Sequence, residues 1–301
     1  MVKKKATMKD TTGDRIFNWV NILILIVITI ILLYPLWFVV MASFSNPRAI
    51  YDVPLLLFPQ KFNIEGYKLI LDNHDIWNGM WNSVVYTVLG TLVNLVMTTL
   101  IAYPLSRKEL KGRGIVTFLV TFTMFFSGGL IPTYLLIQEL GMIDTIWAMI
   151  IPGAISVYNM IIMRTFFQSN IPTELEESAY LDGANDMQLL FKIVLPLSTP
   201  IMAVMTMFYG LGRWNSYFDA MIYLNDRSMF PLQLILREIL IQSQTVSNSS
   251  TLSLNRVDQI SESKEAIKYA VIVVSSLPIL ILYPITAKYF EKGIMMGSVK
   301  G

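Results

Sequence analysis

The 301-residue sequence contains no cysteine and a single histidine. Disulfides and thiolate metal sites are therefore excluded, as is any nucleophile built on sulfur. His74 stands alone between Asn73 and Asp75, without the second histidine of an H-E-x-x-H pattern, and reads as a solvated side chain rather than a metal ligand. Charge is equally scarce, at 15% of residues against roughly 25% in soluble domains. That scarcity argues against a soluble single-domain enzyme. No G-x-x-x-x-G-K-[ST] segment occurs, so the chain carries no phosphate loop of its own. The net charge is only +2, and no Lys/Arg block interleaved with aromatics offers a surface for nucleic acid.

What the chain has instead is apolar length. Between one charged residue and the next lie six long stretches, at 16–47, 76–106, 114–138, 145–163, 193–212 and 269–287. A bilayer core is crossed by about 20 apolar residues in a helix. Unpaired backbone groups in lipid restrict spanning segments to helices or closed barrels. These stretches are too long and too uniformly apolar for barrel strands. The fold expected is therefore all-α, a polytopic membrane protein with six transmembrane helices near 18–43, 78–106, 114–137, 143–165, 195–218 and 267–287. The first stretch follows a basic start but continues through PLWFVVM without a small-residue cleavage site, so it reads as a retained span rather than a signal peptide. The 18 methionines lie mostly inside these stretches, where methionine is a flexible filler.

Orientation follows from Lys and Arg, which are retained on the cytoplasmic side. With six spans both ends share a side. If that side is the cytoplasm, the inside segments hold 14 Lys and Arg in 65 residues, and the outside ones 9 in 90. Both termini are therefore expected inside, with residues 1–15 a basic cytoplasmic tail, 16–290 a single six-span domain and 291–301 a cytoplasmic C-terminal tail. The first outside connection ends in EGYKLILDNHDIW, whose helical rhythm suggests an interfacial helix leading into the second span. The last contains QSQTVSNSSTLSLN, which reads as an exposed loop. Gly128-Gly129 with Pro132 in span three, and Pro152-Gly153 in span four, would either break their helices or simply kink them. Such breaks are tolerated at membrane depth where the backbone is buried in protein or lines a cavity.

The connection between spans four and five, 169–200, is the most specific part of the chain. Pro172 suits the first turn of a helix, and Glu174, Glu176 and Glu177 favour the positive end of its dipole. Gly183 then permits a turn, and a second helix from Ala184 carries Leu189, Leu190, Ile193 and Val194 towards Pro196. The hairpin would lie at the membrane surface with small residues at its turn, as a docking surface. Its charge is net −3 from 164 to 192, so a DNA-binding helix pair is the wrong sign for phosphate.

Glu177-Ser178-Ala179, three residues, Gly183, nine residues and Ile193-Val194-Leu195-Pro196 together resemble the EAA loop of bacterial ABC importer permeases. Every spacing matches; serine stands at 178 where the family usually has alanine. The extended form EESAYLDGA followed by LPLSTP is similar to carbohydrate importers of the MalG-like group. So is the ending KYFEKGIMMGSVKG. FFSGGLIPTYLLI and GRWNSYFDA resemble the LplC/YtcP-type subgroup, associated with oligosaccharides or polysaccharide fragments.

The resemblance implies the transmembrane domain of a type I ABC importer in a bacterial inner membrane. It also implies its partners: a sister permease forming a heterodimer, two ABC ATPase subunits that bind ATP and magnesium, and an extracytoplasmic solute-binding protein. This chain would itself hold no cofactor, no metal and no catalytic residue. Coupling to the ATPase would fall to Glu177, Ser178, Ala179, Asp182, Gly183 and Ala184, with Ile193, Leu195 and Pro196 at the exit. Gly293, Gly297, Lys300 and Gly301 would carry the tail towards the ATPase dimer.

Sugars are bound by aromatic faces and hydrogen-bonding side chains, so polar and aromatic residues within spans are the candidates for the substrate path. These are Asn82, Tyr86, Asn94, Tyr134, Asn159, Tyr209, Arg213, Trp214, Asn215 and Tyr217. Each also has a structural reading, as interfacial belt or interhelical bond. Arg213 in particular would either meet a sugar or pair with Asp219. An ion-coupled secondary carrier would place acids inside its spans, yet all six stretches lack charge. A membrane-embedded enzyme would have only loop carboxylates to work with. A scaffold without transport stays open at this stage, as does a permease for another small solute.

Overall fold

The computed structural model describes residues 11–50, 52–248 and 265–284, with side chains from 243 to 248 outside the description. The residues placed in regular elements are helical, and no strand occurs among the described residues. The chain divides into two compact units, 1–70 with 245–273, and 71–244 with 274–301.

The first unit opens with α1, Thr12–Ser43. Thr11 caps it: its hydroxyl accepts from the Asp14 amide at 3.3 Å while the Asp14 carboxylate accepts from the Thr11 amide at 3.0 Å, a reciprocal box that satisfies two orphan donors. None of the most apolar window of α1 is buried within the chain. A short helix α2, Pro47–Ile50, and the beginning of α3, Glu65–Asp72, follow. The chain between them folds back on the end of α1: the Asn63 amide donates to Phe44 O and the Asn46 amide to Gln60 O, both at 2.9 Å. Ala42, Ile50, Leu56 and Tyr269 form a small core here.

The second unit is organised around α4, His74–Ser106, capped by the Asn73 side chain on the Ile76 amide at 3.3 Å. Its buried positions include Gly79, Ser83, Thr87, Gly90, Thr91, Asn94, Thr98 and Ala102, a stripe of small and polar residues at three- and four-residue spacing. Small side chains let neighbouring helices approach closely where lipid supplies no hydrophobic drive. Next come α5, Arg113–Phe125, and α6, Leu130–Glu139, bent from each other by 111° at the Gly128-Gly129 break. Helices α7, Ile146–Ile150, and α8, Val157–Asn170, are separated by residues 151–156, where Pro152 supplies no amide donor. The hairpin elements α9, Thr173–Leu181, and α10, Asp186–Leu189, lead through a wide π turn, Leu190–Val194, into α11, Leu195–Leu197. The chain then turns by 83° into α12, Thr199–Trp214. The remaining elements of the chain are α13, Phe218–Tyr223, a 3-10 turn Arg227–Met229, α14, Leu232–Asn248, and α15, Glu265–Pro284, the division between the units falling after residue 244 within α14 and after residue 273 within α15. Helices α8 and α12 pack most extensively on α4.

Among the described residues, α1, α4 and α15 are each long and apolar enough to cross a membrane, and five such segments are reached if the two bent pairs are taken as spans. The stretch expected near 143–165 is divided between α7 and α8. Its carbonyls at the break are not left bare. The Asn94 amide donates to Gly153 O and, at 2.9 Å, to Ala154 O. Arg213 donates through Nε to Asn94 Oδ1 at 3.0 Å, through Nη2 to Ile150 O at 2.8 Å, and through Nη1 to Met149 O. Its guanidinium passes between Gly90 and Gly153, where an added Cβ would meet the arginine at 3.0 and 3.2 Å. A side chain at either position would press on the arginine and require it to shift.

The knot predicts a measurable loss. Asn94→Leu keeps the branched shape but removes two donors and the acceptor for Arg213, at an expected cost of about 2 to 4 kcal/mol. Asn215→Leu, whose amide bonds only within its own helix to Leu211 O at 2.9 Å, should change stability by less than about 0.5 kcal/mol. Thermal unfolding in detergent compares the two; equal midpoints would refute the assignment.

Candidate functional site

The hairpin of α9 and α10 is built as its residues dictate. Pro172 precedes Thr173 in extended backbone, and Glu174 and Glu176 occupy the first turn, where the helix dipole favours acids. Gly183 ends the helix with φ +80°, a left-handed conformation costly for other residues. The amides of Gly183 and Ala184 there close onto Tyr180 O at 3.0 Å and Ala179 O at 2.9 Å. The second helix starts at Asp186 rather than Ala184, because Asn185 caps it: its Oδ1 accepts from the Gln188 amide at 2.8 Å while Gln188 Oε1 accepts from the Asn185 amide at 3.1 Å. Across the turn the Tyr180 hydroxyl donates to Asp186 Oδ1 at 2.7 Å. That bond, and to a lesser degree desolvation, pushes the Tyr180 phenol up to about 12.

Two faces result. Inward lie Glu176 and Ala179, with Leu189, Leu190 and Val194; Ala179 and these three aliphatic residues share one core with Tyr103 and Leu105 of α4 and Met160, Met163 and Phe167 of α8. Outward lie Glu177, Ser178, Asp182 and Gly183, all exposed, with Ala184 half-buried at the turn. The apolar Leu175, Tyr180, Met187 and Phe191 are exposed beside them, and Leu181 is 89% exposed. Downstream, Ile193 and Leu195 are half-buried and Pro196 is exposed.

Two residues of this region escape a reading from motif spacing. Glu176 is 5% exposed, and its carboxylate pairs with Arg107, the residue that caps the end of α4. The available signal was position: Glu176 lies three residues before Ala179 and so shares its inward face. Nothing local to residue 107 marks its arginine as the partner. A cavity of about 630 Å³ lies beside the pair, lined by Tyr103, Pro104, Arg107, Glu176, Tyr180 and Met187 among others.

Most of the sequence candidates for a substrate path hold the protein itself together. Asn82 donates to Ser228 O at 2.7 Å and Phe230 O at 3.1 Å, and the Tyr86 hydroxyl to Met229 O at 2.8 Å. Tyr209 shares a bond with the Thr98 hydroxyl at 2.6 Å and accepts from the Ser156 amide at 3.3 Å. Trp214, 3% exposed, donates to Ser275 O at 3.0 Å. Asn159 is buried on α8. Arg213 takes carbonyls and Asn94 rather than pairing with Asp219, whose carboxylate instead accepts from the Ser216 hydroxyl at 3.4 Å. Tyr134, half-buried, stacks on Tyr223 with ring centroids 6.3 Å apart. Asn215 and Tyr217 are exposed, Tyr217 with the Arg237 guanidinium 5.5 Å from its ring. The tail positions Gly293, Gly297, Lys300 and Gly301 lie outside the described residues.

No family model matches the chain. Individual relatives do. The chain is 40% identical to "Protein LplC" of Bacillus subtilis over 295 residues, covering 98% of each chain. It is 42% identical over 289 residues to the polygalacturonan/rhamnogalacturonan transport system permease protein YtcP of the same organism, covering 96% of this chain and 99% of that one. Among solved structures, a chain of a bacterial ABC transporter involved in the import of the acidic polysaccharide alginate superposes with a TM-score of 0.84 at 33% identity, over 94% of this chain and 100% of its own. An all-helical bundle, a glycine-turned hairpin in EAA spacing and relatives matched end to end converge on one assignment: the chain belongs to the MalG-like family of carbohydrate ABC importer permeases.

Proposed function

We propose that this chain is the membrane subunit of an ATP-driven importer that moves an oligosaccharide or polysaccharide-derived fragment into a bacterium. It would pair with a sister permease, rest on two ATPase subunits and receive cargo from an extracytoplasmic binding protein. The observation that carries this reading is the outward face of the hairpin. An apolar side chain as open as Leu181, beside exposed Leu175 and Tyr180, marks a surface that another protein covers. The family's E-A-A-x-x-x-G order runs through it. The cargo class rests on the relatives' names, polygalacturonan and rhamnogalacturonan for one and alginate for another.

The division of labour follows from chemistry. The sequence has no phosphate loop, so ATP and magnesium would be bound by the partner. Closure of the ATPase pair would move the seated hairpin as a rigid body and bias the spans between two arrangements. The excess of Lys and Arg in the hairpin-side connections supports placing that side, and both termini, in the cytoplasm of a multi-pass inner-membrane protein. Tyr134, Asn159, Asn215 and Tyr217 are the path candidates whose side chains the protein's own hydrogen bonds across the fold do not engage. Ser178, which stands where the family usually has alanine, is small, and its hydroxyl donates back to Leu175 O at 3.1 Å.

Mild detergent extraction of the tagged protein followed by mass spectrometry tests the assembly. A P-loop ATPase and a second permease should co-purify in comparable amounts; recovery of this chain alone would overturn the reading. Gly183→Asp meets no neighbour within 4 Å, so it should cost only about 1 kcal/mol in backbone strain. Its new charge in the docking turn should nonetheless cut uptake at least about tenfold, with the protein still in the membrane. Normal uptake and normal ATPase association in that variant would refute the coupling role.

The Tyr180–Asp186 contact gives a pH prediction. A phenol raised from its ordinary value of 10.0 to about 12 favours the neutral, bonded form in the fold. That stabilisation is complete below the ordinary value and lost only as pH rises through about 12. The turn should therefore not respond to pH between about 6 and 9. In an ultraviolet titration, Tyr180→Phe should remove absorbance change near pH 12, whereas loss of signal near pH 10 would refute the bond.

A further inference from the structure

Helix α4 is gripped at both ends. At the Asn73 end, Asn78 and Asn82 donate to Ser228 O at 2.9 and 2.7 Å, Tyr86 donates to Met229 O, and the Ser83 hydroxyl accepts from the Leu232 amide at 2.8 Å. Residues 228–232 are thus bonded to successive turns of one helix. At the other end the last carbonyls of α4 are taken by α8: Arg164 Nε donates to Leu105 O at 2.8 Å and Gln168 to Ser106 O at 3.3 Å. Between these grips α4 runs unbroken for 33 residues, about 50 Å of helix.

Besides the apolar core that Ala179, Leu189, Leu190 and Val194 share with Tyr103 and Leu105, the hairpin reaches this rod through a polar contact. Arg107 leaves α4 with its guanidinium 4.5 Å from the Tyr103 ring centroid and pairs with the Glu176 carboxylate, the two side chains being 16% and 6% exposed. Helix α9 makes no broad backbone contact with α4. Cavities of about 630 and 340 Å³ are both lined by Arg107 and Glu176. The ion pair therefore crosses a gap that neighbouring side chains do not fill. Other charges facing it are Glu109, Glu177 and Asp186 at the larger cavity and Lys108 and Arg113 at the smaller.

We propose that the Arg107–Glu176 pair is the joint through which the ATPase-docked hairpin drives α4, and that α4 carries the movement as one rod to residues 228–232. The inference rests on the coupling reading above. A charge pair suits this task because it is strong only when both partners are present; removal of one leaves a buried charge without compensation. Reversing the sign of one partner therefore breaks the contact, and reversing both restores it. Both residues act by position, touching neither cargo nor nucleotide.

The test uses the full complex with its ATPase in proteoliposomes, measuring cargo transported per ATP hydrolysed alongside the amount of ATPase bound. Arg107→Glu and Glu176→Arg should each lower the transport-to-hydrolysis ratio at least about tenfold with the ATPase still bound, and the double exchange should restore most of it. A purely structural role would lower complex yield and leave the ratio unchanged in whatever complex forms. Glu176→Gln keeps shape and one acceptor, and should lower the ratio by an intermediate factor; if either charge reversal fails to assemble, this variant and the double exchange decide. An unchanged ratio in Glu176→Gln, or a double exchange no better than its assembled parents, overturns the joint. Failure of the unaltered complex to bind ATPase or transport cargo would instead sink the coupling reading itself.

Discussion

Every backbone carbonyl freed within a membrane bundle must find a donor inside the protein, because lipid offers none. This constraint organises the second unit. The break between α7 and α8 exposes the carbonyls of Met149, Ile150, Gly153 and Ala154, and the answer is an asparagine from α4 and an arginine from α12. The charge of Arg213 is met by the carbonyl end of α7, where the helix dipole is negative. Three elements that would otherwise only touch are thereby fixed to one another, and glycines at 90 and 153 leave room for the side chain that does it.

The same economy recurs along α4. Its small, polar stripe is at once a packing surface and a row of donors: asparagines hold residues 228–230 near one end, Asn94 holds the break at the middle, and Arg107 holds the hairpin beyond the other. This helix runs unbroken while its neighbours carry the breaks, its one proline, Pro104, falling in the last turn. Helix pairs α5–α6 and the turn into α12 bend by 111° and 83°, whereas α4 is continuous.

The hairpin divides its chemistry by helical phase. Residues 176 and 179 face inward and anchor; residues 177, 178, 181, 182 and 183 face outward and are free to meet a partner. The family motif therefore mixes the two: its alanine at 179 belongs to the protein's own core, while its glutamate and glycine belong to the surface. The glutamate just before the motif carries the buried ion pair.

Hydrophobic runs, the positive bias of the connections, the proline and glycine breaks and the spacing from Glu177 to Pro196 were all readable in the chain. They depend on local chemistry: bilayer thickness, helix capping and the φ that Gly183 needs. The helical class and the family followed from them. What only the tertiary structure decided is the role of each long-range polar group. Asn94 lies 119 residues from Arg213, and Arg107 pairs with Glu176 across four intervening helices. No periodicity records such pairings, since a polar residue inside a span satisfies the same local pattern whether it meets cargo or a neighbouring helix. Its partner is chosen by packing, which engages Asn82, Tyr86, Asn94, Tyr209, Arg213 and Trp214 in bonds between elements of the bundle.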